Sequence, residues 1–243
     1  MKKIVILFFI FLIFIAINYV NFSNGADAHK GDPPVAQIGP DQFKIGNVIL
    51  DKKKKEIYAR GNVNMQTGLI EYLASWSENG KLHESVLKLD TKPSNLQVAL
   101  LLLGIKPENN LKFQGDSTPL EGDLLEIYVE WESPDKKKKR VRAEELVYNK
   151  DKKKSMERTC WAFTGSEISN GSFIADVEGS IIATFRDPIA IINNPLPDAT
   201  DDTIYFSNEN LLPPIGTEIL LTIKAPQQST PENLFPEKLH KRI

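Results

Sequence analysis

The stretch "GLIEYLASWSENGKLHESVLKL" at residues 68–89 decides how this chain is read. Asn79-Gly80 near its centre is the strongest short hairpin signal, because both residues tolerate positive φ. Pairing outward from that turn sets Trp76 opposite His83, Ala74 opposite Ser85 and Tyr72 opposite Leu87. Glu71 then faces Lys88 as a cross-strand charge pair. Side chains alternate between the two faces of a strand. Ile70, Tyr72, Ala74, Trp76, His83, Ser85, Leu87 and Leu89 are therefore expected on one mostly apolar face, with His83 half-buried against Trp76. Glu71, Glu84 and Lys88 fall on the other.

Upstream, "FKIGNVILDKKKKEIYARGNV" (43–63) reads as strand, turn and strand. Two further lysine runs, "DKKKKR" (135–140) and "DKKK" (151–154), also sit between strand-like segments. Each run is led by an aspartate, which favours turn initiation, so the runs read as solvated turns and not as a nucleic-acid surface. Downstream, "TKPSNLQVALLLLGI" (91–105) changes period. Thr91 or Ser94 can cap a helix that ends at Gly104. Leu96, Val98, Leu100, Leu101, Leu102 and Leu103 lie almost all round that helix, which is expected to be buried.

"LLEIYVEWE" (124–132) alternates, with Leu125, Ile127, Val129 and Trp131 on its inner face. "CWAFTGSEISNGSFIADVEGSIIATF" (160–185) reads as strands punctuated by Asn170-Gly171 and Gly179, and Asp187-Pro188 as the cap of a short helix, "PIAII". "GTEILLTIK" (216–224) is the last strand. The expected fold is α+β, mainly β: antiparallel strands and hairpins packed around one buried helix in a single domain.

The ends are different. Met1-Lys2-Lys3, the apolar run Ile4–Ile17 and "ADA" at 26–28 form a signal peptide in series, with cleavage after Ala28. An uncleaved anchor is the alternative. No cysteine lies near the cleavage point to carry a lipid. Residues 29–42 read as a linker, 43–226 as the domain, and 227–243 as a Pro-containing flexible tail. The expected location is periplasmic or secreted, in a bacterium.

The whole chain carries 30 basic and 32 acidic residues; losing Lys2, Lys3 and Asp27 with the signal leaves 28 against 31, a net charge of −3. Nothing in that balance draws the protein onto nucleic acid or anionic lipid. Cys160 is the single cysteine, which excludes an intrachain disulfide and an iron–sulfur cluster.

Several stretches together resemble the YdjY-type domain family of exported bacterial proteins. They are "GLIEYLA", "GKLHES", "LQVALLLLGI", "VEWE", "WAFTGS", "FIADVEGSIIATFRDPIAIINNP" and "LPPIGTEILLTI", in family order from about residue 43 to 224. The resemblance implies a domain of unassigned function. Some relatives look like iron–sulfur proteins, a role that the lone Cys160 does not support here. It marks Glu71, His83, Glu84, Asp176, Ser180 and Asp187 as polar motif positions and gives them no roles.

The catalytic candidates are accordingly Glu71, His83, Glu84, Asp176 and Asp187. Zinc typically needs several His or Cys ligands, and this domain offers one of each. A carboxylate site for Ca²⁺ or Mg²⁺ stays open, but neighbours such as His83 and Glu84 point apart on a regular strand. "PDATDD" (197–202) lacks EF-hand spacing. No G-x-S-x-G elbow, zincin motif or P-loop occurs. Cys160, beside Trp161 in a strand, reads as a small buried apolar residue. Trp76 and Trp131 read as core and not as a sugar platform.

No cofactor is expected. The chain reads as a non-enzymatic accessory or assembly subunit that binds another exported protein, with Leu234, Phe235, Leu239 and Ile243 of the tail as partner-binding residues. The alternative is a hydrolase or carboxylate–metal enzyme built on Glu71, His83 and Glu84. Convergence of those groups would favour the second reading.

Overall fold

The computed structural model describes residues 35–226. The signal segment with its cleavage point after Ala28 lies outside the described residues. So do the tail residues Leu234, Phe235, Leu239 and Ile243.

The chain opens with a meander: β1 (Ala36–Gly39), β2 (Gln42–Ile45), β3 (Val48–Asp51) and β4 (Glu56–Val63), each antiparallel to the next. The segment read as a linker thus supplies a strand at 36–39. β5 (Tyr72–Trp76) and β6 (Ser85–Leu89) follow, then helix α1 (Pro93–Leu102). After a long loop come β7 (Leu124–Glu132) and β8 (Lys138–Arg142), then β9 (Val147–Asn149) and β10 (Lys154–Ser155). β11 (Trp161–Phe163), β12 (Ile168–Ser169) and β13 (Ser172–Phe173) lead into a short helix α2 (Ile174–Glu178) and β14 (Ser180–Ala183). β15 (Ile192–Asn193), β16 (Tyr205–Ser207) and β17 (Glu218–Lys224) complete the order.

Eight of these strands close on themselves, in the order β4, β17, β7, β11, β15, β14, β5, β6 and back to β4. The mainly β character holds, but the hairpins serve a mixed barrel. Its core is built by strand parity. Ile57, Ile223 and Ile127 line up across β4, β17 and β7, with Ala59, Leu221 and Val129 as the next layer. All six are buried. Leu125 continues the row, whereas Trp131 is only partly buried. β9, β10 and β16 form a separate three-stranded sheet.

The lysine runs are turns. Each places one lysine in the left-handed region: Lys55 (φ 57°), Lys136 (φ 62°) and Lys153 (φ 51°). Asn170 and Gly171 (φ 51° and 78°) make the β12–β13 hairpin, as their type I′ preference requires.

The other Asn-Gly pair does not. β5 and β6 are neighbours, but they run parallel: Tyr72 pairs with Ser85, Ala74 with Leu87 and Trp76 with Leu89. The chain returns through Ser77–Glu84, including a 3₁₀ turn at Leu82–Glu84. Gly80 serves close approach here. A Cβ on it would lie 2.4 Å from the Trp76 carbonyl oxygen. The Asn79 amide donates to the Val177 carbonyl at the end of α2. Tertiary docking overrides the turn preference because all five β5 residues are buried on both faces. A two-stranded hairpin with one polar face could not supply that environment.

Two more expectations are corrected. "PIAII" is a turn at 188–190 running into β15 and not a helix. Helix α1 is buried along one side only. Leu96, Ala99 and Leu100 face the core, while Val98, Leu101 and Leu102 are 37%, 47% and 40% exposed. Neither Thr91 nor Ser94 caps it. Asp176 of α2 does so from a distance, accepting from the Ser94 amide (2.8 Å) and hydroxyl (2.6 Å).

Candidate functional site

Parallel neighbours usually need crossovers of a dozen residues or more. This barrel has two such pairs, β5/β6 and β14/β15, and each is joined by eight residues, Ser77–Glu84 and Thr184–Ile191. Both short crossovers meet at Tyr72. Its hydroxyl donates to Asp187 Oδ2 of the second crossover (2.5 Å) and accepts from Lys81 Nζ of the first (2.9 Å). Lys81 also pairs with Glu178 at 3.1 Å.

Asp187 is buried and its other oxygen accepts from the Ile189 amide (2.9 Å). Asn193 ties down the same turn, accepting from the Asp187 amide (2.8 Å) and donating to the Asp187 carbonyl (2.9 Å). Burial, reinforced by the Asp187 charge, pushes the Tyr72 hydroxyl well above the usual tyrosine range. The phenol keeps its proton and acts as a permanent donor. With Tyr72 fully buried, this arrangement clamps two short connections.

The candidates divide accordingly. Glu71 meets Glu84 through the main chain only, and His83 lies beside Glu84 as its sequence neighbour. The Glu71 amide donates to the Glu84 carbonyl (3.0 Å), and His83 Nε2 lies 3.5 Å from Glu84 Oε2. Burial raises the Glu71 carboxyl above its ordinary value, and the charges of Glu84, Asp202 and Asp187 add to the shift against Lys81. His83 is not half-buried opposite Trp76. Its side chain is 78% exposed, because the 3₁₀ turn carries it outward. Asp176 is spent on α1. Ser180 is buried, with its hydroxyl unpartnered. Cys160 is half-buried just ahead of β11. Among the described residues no three His, Cys, Asp or Glu side chains gather as a metal site.

Tyr72 and Lys81 were missed by sequence reasoning. Tyr72 falls on the apolar face of the expected hairpin and Lys81 has no part in that reading, although they lie in the stretches "GLIEYLA" and "GKLHES". The YdjY domain model matches residues 48–224. The chain belongs to the YdjY domain family. No curated protein and no solved structure matches it. In this YdjY domain the matched region spans the whole barrel, from β3 to the end of β17.

Thermal and denaturant melting of three variants separates these roles. His83→Ala is expected to change stability by no more than about 0.5 kcal/mol, as at other exposed sites. Asp176→Ala should cost about 1–2 kcal/mol, the value of a helix cap. Glu71→Gln should stabilise the YdjY domain at neutral pH. A carboxyl whose folded pKa is raised opposes folding once ionised, so that gain must vanish below the ordinary glutamate pKa. A destabilised His83→Ala would restore the buried-histidine reading.

Proposed function

We propose that this YdjY domain is an exported accessory or assembly subunit that works by binding another protein. The observation that carries the reading is α1. Its sequence, "PSNLQVALLL", contains no charged residue, yet one side is open to solvent through Val98, Leu101 and Leu102. A helix that is apolar all round belongs in an interior. Contiguous exposed aliphatic surface marks interaction sites on soluble proteins. The surface extends to α2, which is bonded to α1 through Asp176 and Ser94 and exposes Val177. The Gln97 side chain accepts from the Ser166 amide, which brings the β12–β13 hairpin and the 75% exposed Ile168 alongside. The partner this face fits is a protein segment that is itself aliphatic and uncharged along the contact, since α1 offers no charge to pair.

The hydrolase reading draws on the raised carboxyl of Glu71. Against it, Asp187 is committed to Tyr72 and Ile189, and Asp176 to Ser94.

A photo-crosslinking residue at Leu101, in the full chain expressed in its host, tests the proposal. The expected product is a discrete adduct with one other exported protein, lost on Val98→Asp and absent when the probe sits at Lys153. An adduct within the chain at 227–243, or with a second copy, would overturn the partner reading.

A further inference from the structure

The three-stranded sheet holds a second feature, remote in sequence from α1. Phe206 of β16 lies directly opposite Tyr148 of β9, and both rings are half-buried. Together with Thr67, Gly68 and residues 208–210 they line a cavity of about 400 Å³, a size typical of small-molecule sites. Its walls are fixed by main-chain bonds. The Ser207 amide donates to the Gly68 carbonyl (3.0 Å), and the Asn208 amide to the Leu146 carbonyl (3.0 Å). The Asn208 side chain is held by the Glu145 carbonyl and the Ser155 hydroxyl.

The lining chemistry selects among ligands. Two aromatic rings on one wall supply apolar faces. Lys150 shares the face of Tyr148 two residues away, and its ammonium lies 5.9 Å from the Phe206 ring centre. The carboxylate of Glu209 offsets that charge, so the cavity has no single-sign field to select a phosphate or a cation. The remaining polar groups are neutral: the Asn208 and Asn210 amides and the exposed Thr67 hydroxyl. Flat apolar faces beside neutral donors and acceptors match a molecule with C–H faces and a hydroxyl rim. We propose that this cavity binds a carbohydrate of one or two rings, stacked on Phe206 and Tyr148 and hydrogen-bonded through Thr67, Asn208 and Asn210.

Titration of the full chain with cellobiose, maltose and N,N′-diacetylchitobiose, followed by calorimetry and amide chemical shifts, tests this. At least one disaccharide should saturate, with shifts confined to residues 67–68, 148–150 and 206–210. Phe206→Ala should weaken that binding about tenfold, or about 1.4 kcal/mol, while Phe206→Tyr retains it. If Phe206→Ala melts early, Asn210→Ala at the exposed rim takes its place and should weaken binding severalfold. The proposal is overturned if none of the three saturates. It is equally overturned by binding that both alanine variants leave unchanged, or by shifts that map elsewhere. The α1 surface plays no part in this titration, so the two proposals fail independently.

Discussion

Replacing Arg186 with alanine is expected to cost about 3–5 kcal/mol of folding stability, because hydrogen bonds to a charged donor are worth about 1.5–3 kcal/mol each. Arg186 is buried, and its guanidinium donates only to main-chain carbonyls. Nε reaches Asn194 (3.3 Å), Nη1 reaches Asp116 (3.0 Å) and Thr118 (2.9 Å), and Nη2 reaches Pro195 (2.9 Å) and Leu196 (3.4 Å). Burial draws its pKa down, with Asp116 opposing. One side chain therefore staples the loop between α1 and β7 to the segment after β15. Removing it orphans several carbonyls at once, and some of the loss is recovered where water can enter.

The readout is local as well as global. Limited proteolysis of Arg186→Ala should cut within residues 106–123, and the wild type should resist. The same loop has its own acid lock. The Thr118 hydroxyl and amide and the Lys112 amide pull Asp116 down to about 2. Its folded pKa lies below the ordinary value, so its contribution is complete above that value and is lost as the pH falls through about 2. Wild-type protein should become cleavable in this loop only in that acid window. An Arg186→Ala protein that melts like wild type and stays uncut would show that the loop is held by other contacts.

Glu144→Ala is expected to be comparably severe, about 3–5 kcal/mol, as when one partner of a buried ion pair is removed. Glu144 is 1% exposed and grips Arg142 with both oxygens, at 3.1 and 2.8 Å. Its Oε1 also accepts from the Thr159 amide (3.3 Å). Burial alone would lower the Arg142 pKa, but bonding to Glu144 and Tyr128 and the nearby charge of Glu126 hold it above its ordinary value. Without Glu144 the charge remains at that depth, with Glu126 at 3.3 Å as its remaining carboxylate. The double variant Arg142→Met, Glu144→Leu should be far milder, since it removes the stranded charge along with the pair. Denaturant midpoints of the single and double variants decide the matter. Equal losses in both would mean that packing, not charge, dominates at this site.

The sequence by itself determined whatever depended on near neighbours. Strand parity placed Leu125, Ile127 and Val129 inward, because alternation is a property of the extended chain alone. Turn chemistry located all three lysine runs and the Asn170-Gly171 hairpin, because a tight turn is satisfied within a few residues. Gly104 was legible as the end of α1 for the same reason, and its φ of 87° agrees. The family followed from several motifs in order.

Only the tertiary structure decided who pairs with whom. Asn79-Gly80 has the same local preference as Asn170-Gly171, yet docking against α2 and burial of β5 on both faces made it part of a parallel crossover. The closure of β4 on β6, and with it the barrel, follows from that long-range pairing. His83 lost its expected burial once the hairpin register no longer applied, and Asp176 became a cap for a helix 82 residues away. Tyr72, Lys81 and Asp187 converge because two crossovers far apart in sequence meet at one hydroxyl. The leucines spread round α1 predicted burial but could not say which side the barrel would leave open. Parity and turn preferences act over a few residues, whereas burial and strand pairing are set by the whole chain closing on itself.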